Sequence, residues 1–222
     1  MIPLRDSQPS YSPPVVTILI IMANTAVFLY ELSLDRFSLN YLISVYGIVP
    51  ARLELTTLFT SMFLHGGWMH FLGNMWFLWI YGDNVEDILG RVKYFLFYVA
   101  CGVAAGLVHV MMNPDSRIPT IGASGAIAGV MGAYMVKFPH SRILTLVPVF
   151  LFLTTVEVPA IFILGYWFLL QFFSGVGTIG ESHLSQGGVA WFAHIGGFLA
   201  GMLLVNLLHP RPPRRRRRDL YW

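Results

Sequence analysis

The chain is 222 residues long, 56% hydrophobic and only 11% charged, with a formal charge of +3. A soluble domain carries about 25% charged residues, so the composition excludes an ordinary soluble globule and indicates one compact domain within a membrane. The strict apolar–polar alternation of a membrane barrel is missing, so the expected class is an all-α membrane protein.

In chain order, residues 1–14 form a polar, proline-containing segment, and the apolar run behind it lacks a signal-peptide cleavage pattern. Six spans follow at about 15–32, 58–81, 92–112, 121–136, 158–173 and 189–208, making 15–208 the membrane domain. A basic tail, 209–222, holds six arginines between Arg211 and Arg218. The stretch 143–156 is apolar enough for a seventh span, but Pro148, Glu157 and Pro159 interrupt it, and proline ends helices. With six spans and the N-terminus inside, inner segments hold Arg5, Arg91, Lys93, Lys137, Arg142 and the six tail arginines, eleven cations in all. Outer segments hold only Arg36, Arg52 and Arg117. This is the asymmetry that the positive-inside rule requires, and a seventh span would invert it. Both termini are therefore expected on the cytoplasmic side, with 143–156 a connector at or dipping into the inner interface. The tail reads as a membrane-surface anchor rather than a nucleic-acid arm. The lone Cys101, in a small-residue stretch, reads as a packed thiol.

Spans two, four and six then all run from outside to inside. His65, His70 and Asn74 fall in the first part of span two, Ser124 opens span four, and His194 lies near the start of span six. All five share the outer half of the membrane. Polar groups at that depth are costly and mark function. A serine hydroxyl becomes a nucleophile when a base takes its proton, and histidine does so near neutral pH. Gly125, Gly129 and Gly132 on span four, and Gly197 and Gly201 on span six, let two backbones approach closely. Such packing would bring Ser124 to His194. Acyl transfer also needs donors for a developing oxyanion. His70 and Asn74, four apart on one helix face, and the backbone N–H of Ser124 can supply them. His65 is off that face, lining a water cavity or bracing a loop. A zinc site from His65, His70 and His194 lacks an acidic ligand and is set aside. No Asp or Glu lies in the outer halves of spans two, four or six, so a Ser–His dyad, its ring held by packing, fits better than a triad.

Gly122-Ala123-Ser124-Gly125, Ala193-His194-Ile195-Gly196-Gly197 and His65…His70-x-x-x-Asn74 resemble the rhomboid intramembrane serine proteases, in order and over about residues 53–208. Glu86-x-x-x-Gly90 resembles a further, structural feature of the family. The resemblance implies a six-transmembrane-helix bundle that cleaves single-span membrane proteins near the outer end of their helix, without cofactor or metal. It implies Ser124 as nucleophile, His194 as base, and His70, Asn74 and the Ser124 N–H as oxyanion donors. Two departures stand out. The Trp-Arg pair of many members is replaced by Glu54-Leu55-Thr56-Thr57-Leu58, and the aromatic residue of some members, one turn after the serine, is Ala128. The glycine-rich stretch 174–188, containing Gln186, is expected to act as a mobile cap over the site. The alternatives are a catalytically silent rhomboid-like protein that binds membrane clients, and a small transporter. A cell membrane, of prokaryotic plasma-membrane type, is the expected location, with an organelle membrane as the alternative.

Overall fold

The computed structural model describes residues 2–149, 152–178 and 190–209. Among them are eight α-helices: α1 (Val15–Ser33), α2 (Arg36–Tyr46), α3 (Thr57–Thr60), α4 (Trp68–Leu89), α5 (Arg91–Met112), α6 (Ser124–Lys137), α7 (Ala160–Gly177) and α8 (Trp191–Leu208). Three strands, β1 (Ile2–Asp6), β2 (Arg142–Val149) and β3 (Phe152–Pro159), complete the described fold. Helices α1, α5, α7 and α8 are each long and apolar enough to cross a membrane.

Helix α6 is the axis of the bundle. Every residue from Gly125 to Tyr134 is buried, as expected of a helix that is apolar all round. It packs against α4, α5, α7 and α8. Helices α4, α6 and α8 all begin at one end of the bundle, the end that carries the residues singled out above. At the other end, Lys137 Nζ donates to Asn206 Oδ1 (2.9 Å) and to the carbonyl of His209, tying the C-terminal turns of α6 and α8 together.

Two stretches differ from their expected form. Span two, expected over 58–81, is divided. Helix α3 and a 3-10 turn (Ser61–Phe63) come first, and α4 starts only at Trp68. Gly67, with φ 141°, takes a backbone conformation that interrupts the helix. His65 therefore lies in the connection before α4, not on it. The stretch 143–156, expected as a connector with no assigned secondary structure, lies in an antiparallel hairpin. Strand β2 pairs β3 with Ile143 opposite Val158 and Thr145 opposite Val156, and β1 pairs β2 on its other edge. The class is thus mostly helical with a small sheet, not all-α. Prolines 148 and 159 exclude a helix there, while Val, Ile and Thr favour strands. The N-terminal residues are drawn into this sheet. Trp76 Nε1 donates to the Pro3 carbonyl (2.7 Å), and the Tyr134 hydroxyl donates to Asp6. Burial raises the Asp6 carboxyl above the usual range, with the Tyr134 bond opposing that shift. The basic tail, apart from His209, lies outside the described residues.

Glu86 explains the Glu86-x-x-x-Gly90 feature. Its carboxylate accepts from the backbone N–H of Val16 (2.9 Å) and Thr17 (2.8 Å) and from the Thr17 hydroxyl (2.9 Å). The first N–H groups of a helix have no acceptor within it, and an anion there also meets the positive end of the helix dipole. Gly90, with φ 74°, caps α4 and turns the chain directly into α5. Glu86→Ala leaves these buried donors unsatisfied. The expected loss is about 2 kcal/mol, read as a lower midpoint in detergent unfolding, with Glu86→Gln recovering part of it.

Candidate active site

The loop before α6 is fixed by backbone hydrogen bonds. Ile48 and Thr120 exchange N–H···O bonds of 2.9 and 2.8 Å. The Gly122 N–H donates to the Ser61 carbonyl (2.9 Å). Gly122 has φ 126°, and a Cβ built there would fall 2.6 Å from both Cε1 and Nε2 of His70. Only glycine allows this turn and the approach of the His70 ring together. Ser124 then opens α6, with its backbone N–H among those that lack an intrahelical acceptor.

Helix α8 lies against α6 backbone to backbone. A Cβ at Gly197 would stand 2.0 Å from the Gly125 carbonyl oxygen, and one at Gly201 would stand 1.9 Å from that of Gly129. This contact sets His194 over the N-terminus of α6. His194 Nε2 and Ser124 Oγ are 2.8 Å apart, a hydrogen bond between residues 70 positions apart in sequence.

The other predicted residues gather around this pair with different degrees of contact. His70 Nδ1 accepts from the Gly66 N–H (3.3 Å), which assigns its proton to Nε2, the atom facing Gly122. Asn74 is buried one turn further along α4, and its Nδ2 has no hydrogen-bond partner. A buried amide without a partner is an exception among native groups and calls for an explanation. His65 is buried against Phe28, Phe71 and His70, and neither ring nitrogen has a partner. Its backbone N–H is held by both carboxylate oxygens of Glu31 at 3.1 Å, so it braces the loop ahead of α4. On the far side of Ser124 a cavity of about 30 Å³ is lined by Ser61, Met62, His109, Thr120 and Ala193. Its polar wall includes His109 Nε2, 2.8 Å from Thr120 Oγ1. That volume is large enough for a water molecule.

Two residues of the site are absent from the sequence reading. Gln171 on α7 accepts through Oε1 at 2.7 Å from His194 Nδ1. Trp167, one turn before it, lies with its ring centroid 5.7 Å from that of His194 at an interplanar angle of 34°. Packing alone was expected to hold the ring. Instead it has a hydrogen-bond acceptor on its edge and an indole beside its face, both from α7. The ring missing at Ala128 is supplied by another helix. The signal was one amide within the apolar run Ala160–Gly177, a polar group at membrane depth of the kind that marks a site. The expected cap, 174–188, lies outside the described residues from 179 onward.

Comparison with known proteins bears on the family. A Rhomboid domain model matches residues 52–211. The chain belongs to the rhomboid family, whose members are generally intramembrane serine proteases. It is 29% identical over 204 residues to Rhomboid protein 1, mitochondrial, of Saccharomyces cerevisiae, covering 89% of this chain and 54% of that protein. It is 34% identical over 139 residues to human Presenilin-associated rhomboid-like protein, mitochondrial, covering 60% of this chain and 36% of that one. Rhomboid-like protein 11, chloroplastic, of Arabidopsis thaliana is 29% identical over 160 residues, 69% of this chain and 52% of the relative. The chain spans about half or less of the length of these relatives. Their names place them in organelles, which runs against the expectation of a prokaryotic plasma membrane.

Gly201 touches Gly129 two turns from His194 and takes no part in the site itself. Gly201→Ala is expected to force α6 and α8 apart, costing about 2 kcal/mol. A thermal melt in detergent identical to that of the unaltered protein would contradict the close contact.

Proposed function

We propose that this chain is an intramembrane serine endopeptidase that cleaves the transmembrane segments of single-span membrane proteins through an acyl-enzyme. Six of its helices, α1 and α4 to α8, cross the bilayer, with both termini on the cytoplasmic side and the site in the outer half. The observation that carries the reading is the 2.8 Å contact between Ser124 Oγ and His194 Nε2. An amide oxygen only accepts, so Gln171 assigns the His194 proton to Nδ1 and leaves a lone pair on Nε2 toward Ser124.

In the reaction, Ser124 Oγ bonds to the scissile carbonyl carbon as its proton passes to His194 Nε2. The carbonyl oxygen becomes an oxyanion within reach of the Ser124 N–H, the His70 Nε2–H and the Asn74 amide. The unpartnered Asn74 Nδ2 has a natural use here: it is a donor held ready for a charge that forms only in the reaction. The tetrahedral species collapses, the C–N bond breaks, and His194 gives its proton to the leaving amine. A water then attacks the acyl carbon with His194 Nε2 taking its proton; the C–Oγ ester bond breaks, the acid product leaves, and His194 returns the proton to Ser124 Oγ. The polar cavity beside Ser124 supports a supply of that water inside an apolar bundle. A substrate helix must unwind locally, since its peptide bonds are otherwise engaged in intrahelical hydrogen bonds.

The test is cleavage of a model single-span substrate by purified protein in detergent or vesicles. Ser124→Ala and His194→Ala are each expected to lower kcat by on the order of 10⁴-fold or more. Equal cleavage by all three proteins rejects the enzyme. Intact substrate that stays bound to the unaltered protein favours the silent client-binding alternative. Asn74→Ala is expected to lower kcat about 10²- to 10³-fold with little change in KM. An effect confined to KM would assign Asn74 to substrate binding instead.

A further inference from the structure

We infer that Gln171 is the positioning residue of the catalytic base, so that His194 holds its working tautomer only while α7 is docked against α8. The inference rests on the protease reading above and adds a residue, and a helix, that the dyad alone does not include.

The observations are independent of the dyad. Gln171 is 7% exposed and is the one amide side chain in a helix made almost wholly of apolar and aromatic residues. Its Oε1 lies 2.7 Å from His194 Nδ1. Trp167 precedes it by four positions, so both project from one face of α7. Together they meet the edge and the side of a single imidazole. Among the described residues, His194 Nδ1 has no other hydrogen-bond partner.

The chemistry follows from what an amide can do. A neutral imidazole carries one proton on either nitrogen, and the partner of one nitrogen decides the state of the other. With Gln171 present, Nδ1 donates and Nε2 is free to take the serine proton. Without an acceptor, a buried Nδ1–H is left unsatisfied. The proton then moves to Nε2, where it blocks the base. A carboxylate would do the same orienting work, but a charge at membrane depth is costly. Glutamine orients the ring without one. It also leaves the ring free of a charged neighbour on this edge.

This assignment explains why the base works without an acidic third residue. It also makes α7 more than a wall. Helix α7 supplies both groups that hold the ring but neither reacting atom.

The experiment compares the unaltered protein with Gln171→Met, which keeps the side-chain length and removes the acceptor, and Gln171→Glu, which keeps an acceptor. Two readouts are taken. The first is ¹⁵N NMR of histidine-labelled protein in micelles, with His194→Asn used to assign the His194 signals. This reads the tautomer whether or not substrate is cleaved. The second is steady-state cleavage. Expected are a single Nδ1–H tautomer in the unaltered protein and a mixed or Nε2–H state in Gln171→Met. That variant should lose about 100-fold in kcat at unchanged KM, with substantial recovery in Gln171→Glu. An unchanged tautomer in Gln171→Met overturns the inference. So does unchanged kcat in that variant where Ser124→Ala abolishes cleavage. If the unaltered protein cleaves nothing, the protease reading fails while the NMR comparison still decides the role of Gln171.

Discussion

The contact on which the rest depends is the backbone-to-backbone approach of α6 and α8. Lipid tails are as apolar as leucine, so helices in a bilayer gain little from the hydrophobic effect when they associate. They gain from dispersion at close range, and close range requires that side chains be absent. Glycines 197 and 201 meet the carbonyls of Gly125 and Gly129, where any Cβ would collide. Polar bonds between Lys137 and the end of α8 close the lower part of the same seam. The 2.8 Å hydrogen bond between Ser124 and His194 is a by-product of that seam.

The second constraint is local and concerns the entry to α6. A residue that opens a helix keeps its N–H free, and a nucleophile placed there comes with a donor already aimed outward. The loop that delivers Ser124 is anchored through Ile48–Thr120 and Ser61–Gly122 backbone bonds. Gly122 both turns the chain and clears the space that the His70 ring occupies. Ser124, His194 and His70 thus share one rigid frame, the kind of preorganisation that electrostatic stabilisation of a reaction needs.

Three buried polar side chains among the described residues each fix a distant part of the chain. Glu86 caps α1 and Glu31 holds the loop at His65. Gln171 holds His194. These three side chains come from different helices, and each reaches a backbone or ring group remote in sequence. A pass along the chain registers Glu31 and Gln171 only as polar residues within apolar runs, and Glu86 only as part of the Glu86-x-x-x-Gly90 feature, without the group it caps. Ser124, His194, His70 and Asn74 were legible because each sits in a compact local pattern whose spacing has chemical meaning. Gln171 had no such pattern around it, only Trp167 one turn away.

Composition and hydropathy by themselves determined that the chain is a helical membrane protein. The glycine spacing determined which two helices pack most closely, and the short motifs determined which serine and histidine meet. These are local properties: a span is apolar or not, and a glycine every fourth residue lies on one face whatever surrounds it. The hairpin at 142–159 was half legible, because its prolines ruled out a helix but its strand partner β1 lies more than a hundred residues earlier. Only the tertiary structure decided where span two truly begins, which side chain caps α1, and what holds the His194 ring. Each of those depends on which helix stands beside which, and a neighbour across the bundle leaves no period in the sequence to be read.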